Sequence, residues 1–131
     1  MTYVIGSHGQ TKEVTWNDIK NGLELKPGQF IRQGDVFIIA VAHIPVNYRI
    51  MPRINNAVIL AFGEATGHKH QFLEEHVTQI QDIDSEKTFL LIDDISNFVH
   101  EEHSKIPLKP QAFEIRIQEQ KVRGKITRVI D

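Results

Sequence analysis

Residues 112–118, AFEIRIQ, alternate without a break: Phe113, Ile115 and Ile117 fall on one side, Glu114, Arg116 and Gln118 on the other. A period of two is the signature of a strand with one face in a core and one in water, because successive side chains point to opposite faces. Working outward, VFIIAVA (36–42), AVILAF (57–62) and KTFLLID (87–93) are short continuous apolar runs. Such runs suit strands covered on both faces. Turn chemistry separates them: Pro27-Gly28, Gly34-Asp35, Asn55-Asn56, residues 84–86 and residues 93–97. VRGKITRVI (122–130) reads as a turn at Gly124 and a last strand. Pro45 and Pro52 make residues 43–56 a loop or an edge segment, since proline cannot donate to a sheet ladder. TWNDIKNGLEL (15–25) reads as one short helix, capped by Thr15, with Asp18 in the first turn and Gly22 at its end. The expected fold is all-β: a small β-barrel or β-sandwich with one short N-terminal helix.

The 131 residues are expected to form a single domain, 1–131, with enough chain to bury a core. The formal net charge of −2 does not point to nucleic acid or an anionic membrane. The chain has no cysteine, which excludes disulfides, thiolate ligands and a cysteine nucleophile. MTYVIGSHGQTKEV lacks the basic and apolar segments of a signal peptide, and no apolar run approaches a membrane span. The reading is therefore a cytoplasmic protein, with self-association and a small-molecule ligand left open.

Chemistry concentrates in GEATGHKHQFLEEH (63–76), which holds three histidines and three glutamates. On a strand His68 and His70 project from one face, where their ring nitrogens can meet on one ion at about 2.1 Å. Thr66 and Phe72 share that face, and Phe72 offers an apolar wall. A second cluster, His100 to His103 (HEEH), follows about thirty residues later. Three histidines, or two and a carboxylate, with water in the open position would form a catalytic site for Zn, Ni, Fe or Mn. The expected ligands are His68, His70 and His103, with His100 as the alternative to His103. Glu64 and Glu74 are the candidate fourth ligand or general base. The same residues also suit a solvated loop or a pH-sensing imidazole cluster. His8, His43 and His76 stand alone and read as surface or structural residues. The basic residues Lys109, Arg116, Lys121, Arg123, Lys125 and Arg128 read as the wet face of a terminal hairpin or a phosphate patch. No nucleophile elbow, P-loop or dinucleotide fingerprint occurs.

His68, His70 and Glu74 have the spacing of the first cupin motif, a His-any-His pair followed by Glu on one metal. In this respect the chain resembles the cupins, although Gly63 stands one residue closer than that motif expects and no Pro-any-Gly turn precedes a second histidine. More of the chain resembles a family of small uncharacterised bacterial and phage proteins. The shared elements are Gly34-Asp35-Val36, the G-E-x-T-G-H-x-H run from Gly63 to His70, the histidine pair His100 and His103, and residues 126–131. The chain departs from that pattern at Pro110-Gln111-Ala112-Phe113 and at residues 118–121. The resemblance implies a shared fold and a shared histidine site, and it brings no activity. Two functions follow as expectations. One is a metal-dependent enzyme acting on a small polar or phosphorylated substrate through metal-activated water. The other is a non-enzymatic binding or assembly protein, such as a phage accessory or structural subunit, with the histidines at an interface.

Overall fold

The computed structural model describes residues 4–7, 10–13, 21–62, 69–100, 103–117, 119–122 and 125–128, with side chains at 21–60, 69–100 and 105–117. Among the described residues all fourteen elements are strands. In chain order they are β1 (Val4–Ser7), β2 (Gln10–Glu13), β3 (Phe30–Gln33), β4 (Val36–Ala40) and β5 (Tyr48–Ile50). Then come β6 (Val58–Phe62), β7 (Lys69–Phe72), β8 (Val77–Asp82), β9 (Thr88–Ile92) and β10 (Ser96–His100). The last are β11 (His103–Leu108), β12 (Gln111–Ile117), β13 (Glu119–Val122) and β14 (Lys125–Arg128).

Eight strands form one antiparallel sheet, ordered β2-β1-β3-β4-β12-β9-β8-β5, and four form another, ordered β11-β10-β7-β6. β13 and β14 pair as a hairpin, as the last residues suggest. Neither large sheet closes on itself among the described residues, which corrects the barrel alternative. Strand number and turn spacing, from which a barrel was inferred, do not determine whether first and last strands meet; here β2 and β5 are separate edges. The expected helix, 15–25, lies outside the described residues over 15–20, and residues 22–25 are not helical: Leu23 forms a bridge with Leu108. Gly22, which was to end it, has φ +83°, and a Cβ there would come 3.2 Å from Lys109 Cγ. Beyond it Leu23 N–H donates to the Pro107 carbonyl at 2.8 Å, joining this segment to β11.

One core lies between the two sheets. The larger contributes Ile31, Ile38, Leu90 and Phe113, the smaller Phe72, Phe98, Ile106 and Leu108. Each such side chain contributes about 1.5–3 kcal/mol when removed from water. β12 follows its alternation in part: Phe113 and Ile115 enter the core, Ile117 packs against it and Arg116 is exposed, but Glu114, expected on the water face, is buried as well. The turns follow their residues. Gly34, with φ +59°, takes the first place of a two-residue hairpin between Gln33 and Val36, where the chain needs a positive φ. Asn55 and Asn56 both have positive φ between the paired Ile54 and Ala57. Residues 43–56 contain β5, a short strand at the edge of the larger sheet. Arg53 secures the loop after it by donating to the carbonyls of Asn56, Leu73, Glu74 and Val77.

Candidate functional site

β7 and β10 are neighbours in the smaller sheet, with Val99 opposite Gln71. That register sets Phe98 opposite Phe72 and His100 opposite His70. Both strands alternate in burial, so His70, Phe72, Ser96, Phe98 and His100 all face the core. The phenyl rings of Phe72 and Phe98 stack at 5.3 Å, and the imidazoles of His70 and His100 lie 4.3 Å apart between centroids. Phe72 thus shares the buried face of His70, as its spacing suggests. A register shift in each adjoining ladder, between Ile59 and Ala61 and between Phe98 and His100, falls beside this pair. Bulges bend a strand and re-aim side chains, and they gather next to functional sites.

The larger sheet supplies two more polar residues. Gln33 ends β3 and Asp35 stands in the turn that follows, and both point into the same region. Six polar side chains are buried among the described residues, and four of them, Gln33, Asp35, His70 and His100, meet here. Buried polar groups cost stability unless they are satisfied, so their concentration needs a physical account.

The bonds of Gln33 give part of it. Its Nε2 donates to the Phe98 carbonyl at 3.4 Å, and its Oε1 stands 2.9 Å from His70 Nδ1. A carbonyl only accepts, so the amide nitrogen must face Phe98 and the amide oxygen must face the ring. His70 therefore carries a proton on Nδ1 and donates it to Gln33. In the neutral ring Nε2 then presents a lone pair, and Asp35 Oδ1 lies 3.4 Å from it. Two acceptors at that distance repel unless a positive charge joins them. A proton carried by either group and shared between them, or a cation between the two atoms, removes that repulsion.

Of the expected site residues, the structure brings His70 and His100 together. His103 sits opposite His100 in the β10–β11 ladder, with its side chain outside the described residues. His68 and Glu64 also lie outside them. Glu74 lies beyond the end of β7, and its Oε2 accepts from Asn97 N–H at 3.0 Å and Asn97 Nδ2 at 3.1 Å. That carboxylate ties the β7–β8 turn to β10. His76 Nε2 lies 3.2 Å from the Ile95 carbonyl, in keeping with a structural histidine. Among the described residues no group of three or more His, Cys, Asp or Glu side chains stands where it could hold a metal ion. Gln33 and Asp35 were missed. The available signal for Gln33 was its two-residue step from the apolar Ile31; Asp35 was hidden by the ordinary role of aspartate in turns.

The sequence matches a family model, "Domain of unknown function (DUF8820)", over residues 32–118. The chain belongs to the DUF8820 family. The matched span holds β4 to β12 and every histidine of the sequence except His8, so the DUF8820 domain takes in most of the two sheets. No curated protein and no solved structure matches the chain. The cupin resemblance rests on residue spacing alone, and in this DUF8820 domain Glu74, which that spacing would make a ligand, bonds Asn97. No helix among the described residues is long and apolar enough to cross a membrane.

Proposed function

We propose that His70 and Asp35 form the inner pair of a divalent transition-metal site for Zn, Ni, Fe or Mn, completed by His68 and His103, with the His100 ring packed beside His70. The observation that carries this reading is the 3.4 Å between His70 Nε2 and Asp35 Oδ1. Two ligands about 2.1 Å from one ion at a tetrahedral angle stand about 3.4 Å apart. Gln33 supports it, because a ligating histidine ordinarily donates its other ring N–H to a fixed acceptor. The scaffold in this reading is a two-sheet sandwich with the ion near the end of its core. A water in an open position would attack a small polar or phosphorylated substrate, with Glu64 as general base. Glu74 takes no catalytic part in this proposal, since its carboxylate holds Asn97. The alternative of a phage accessory or assembly subunit with an interfacial histidine patch is less well supported, because His70 and His100 are 0% and 5% exposed.

Elemental analysis of untagged protein tests the proposal. The expected result is about one equivalent of metal per chain, lost on chelation and reduced at least tenfold in affinity by Asp35→Asn or His70→Gln. Protein that takes up none of the four ions at pH 7.5 would overturn it. In that event nitrogen-detected NMR should find a proton shared between His70 Nε2 and Asp35, an arrangement that relieves the same repulsion.

A further inference from the structure

Among the described residues β5 is the last strand of the larger sheet, and its outer side has the form of a docking strand. Asn47 O accepts from Ile83 N–H at 3.1 Å and Met51 N–H donates to Gln79 O at 2.8 Å, with Arg49 opposite Gln81. Odd-numbered residues therefore turn their main-chain groups toward β8. The N–H and C=O groups of Tyr48 and Ile50 turn away from it, toward the open edge. Side chains of the same parity are apolar and exposed: Val46 94%, Tyr48 40% and Ile50 69%. Sheet edges are ordinarily protected by charge or by a covering segment. The one charge here, Arg49, is drawn back along the sheet by Gln81 Oε1, which accepts from its Nε at 2.8 Å. Pro45 and Pro52 confine the open stretch to the residues between them.

We propose that this edge pairs with the same edge of a second copy, antiparallel, about a two-fold axis at Tyr48. Two symmetric registers were weighed against each other by what they place opposite. An axis at Arg49 sets guanidinium against guanidinium across the close, non-hydrogen-bonded pair, where like charges repel. An axis at Tyr48 sets Tyr48 against Tyr48 of the second copy and Val46 against Ile50. Apolar side chains then meet on one face, and each of these facing pairs can exchange two main-chain bonds. On the other face Asn47 meets Arg49, an amide acceptor beside a guanidinium donor. The register uses the apolar exposure and keeps the arginines apart, so a second copy fits the edge better than a strand of unrelated sequence. The two eight-stranded sheets would join into one continuous sheet across the axis.

So short a seam buries less than the roughly 1,200 Å² of a standard stable interface, and dimers are expected in the micromolar to submillimolar range. Sedimentation equilibrium on the full chain up to about 0.5 mM reads this directly. Tyr48→Pro removes an outward N–H that β8 does not use, so it should weaken dimerisation at least tenfold with an unchanged circular dichroism spectrum. Ile50→Lys, at an exposed position, should weaken it similarly without entering the core. The absence of cysteine from the chain allows the register to be read by oxidation. Non-hydrogen-bonded pairs, about 4.5 Å apart at Cα, lie within disulfide reach. A mixture of Asn47→Cys and Arg49→Cys chains should give disulfide-linked heterodimers, and neither chain alone should cross-link. A wild type that stays monomeric, an Ile50→Lys chain that dimerises normally, or cross-linking of Arg49→Cys by itself would each overturn the proposal.

Discussion

Asp82 organises the turn between β8 and β9 with one carboxylate. Its Oδ2 accepts from the Ser85 hydroxyl at 2.7 Å and its Oδ1 from Asp84 N–H at 3.3 Å. The Ser85 bond is the main cause that holds the Asp82 pKa below the ordinary carboxylate value. A depressed folded pKa stabilises the native state above the unfolded value, and that stabilisation is lost as pH falls through the folded one. Ser85→Ala should therefore raise the Asp82 pKa toward its ordinary value, read from the carboxyl carbon shift in an NMR titration. An unchanged titration would mean that the backbone donors alone set it. Asp82 and Glu74 carry the same lesson about single residues. The spacing from His70 to Glu74 was legible as a ligand pattern, yet the strand ends at Phe72 and the carboxylate bonds Asn97 instead. Spacing predicts a shared face only while the strand lasts. His70 and Phe72 lie within β7, and their common face was legible for that reason.

Among the elements, the β3–β4 hairpin controls the site most directly, since it carries Gln33 at one end of its turn and Asp35 within it. Gly34 holds φ +59°, where an L side chain meets the following carbonyl. Gly34→Ala should cost about 1–2 kcal/mol, read from urea unfolding, and should move Asp35 relative to His70. A variant as stable as the wild type would show that the turn can adopt another form. The hairpin's turn was readable from Gly34-Asp35, and β12 from its alternation. β10 was not: residues 93–97 read as a turn and SNFVH as no strand. Its inward positions are Ser96, Phe98 and His100, so polar residues in the core broke the apolar period by which strands are recognised. The same irregularity marks the site, because two buried polar residues on a core face require partners.

For the whole molecule, Phe98 is the residue through which the layers are joined. It is fully buried, stacks on Phe72, and offers its carbonyl to Gln33 of the opposite sheet. Phe98→Ala should cost about 3–5 kcal/mol, as large-to-small core changes do. The thermal midpoint should fall by about 10–20 °C in a calorimetric scan. A fall of only a degree or two would mean that the sheets close over the vacated space. All-β composition was legible, because apolar runs and turns recur along the chain. The division into two open sheets was not, since the decisive pairings join residues far apart in sequence. Ile38 opposite Ile115 and Val99 opposite Gln71 leave no local mark that tells a barrel from two layers.

β12 pairs with β4 on one side and β9 on the other, and among the described residues it connects β2-β1-β3-β4 to β9-β8-β5. On a ribosome, β4 emerges long before its partner and waits with one flank of VFIIA unpaired. Such a strand is a template for any extended neighbour, so crowded synthesis favours aggregation or capture by chaperones at this stage. A cut before residue 111 that let β12 leave would strip the larger sheet of its middle strand and expose the flanks of β4 and β9, both apolar.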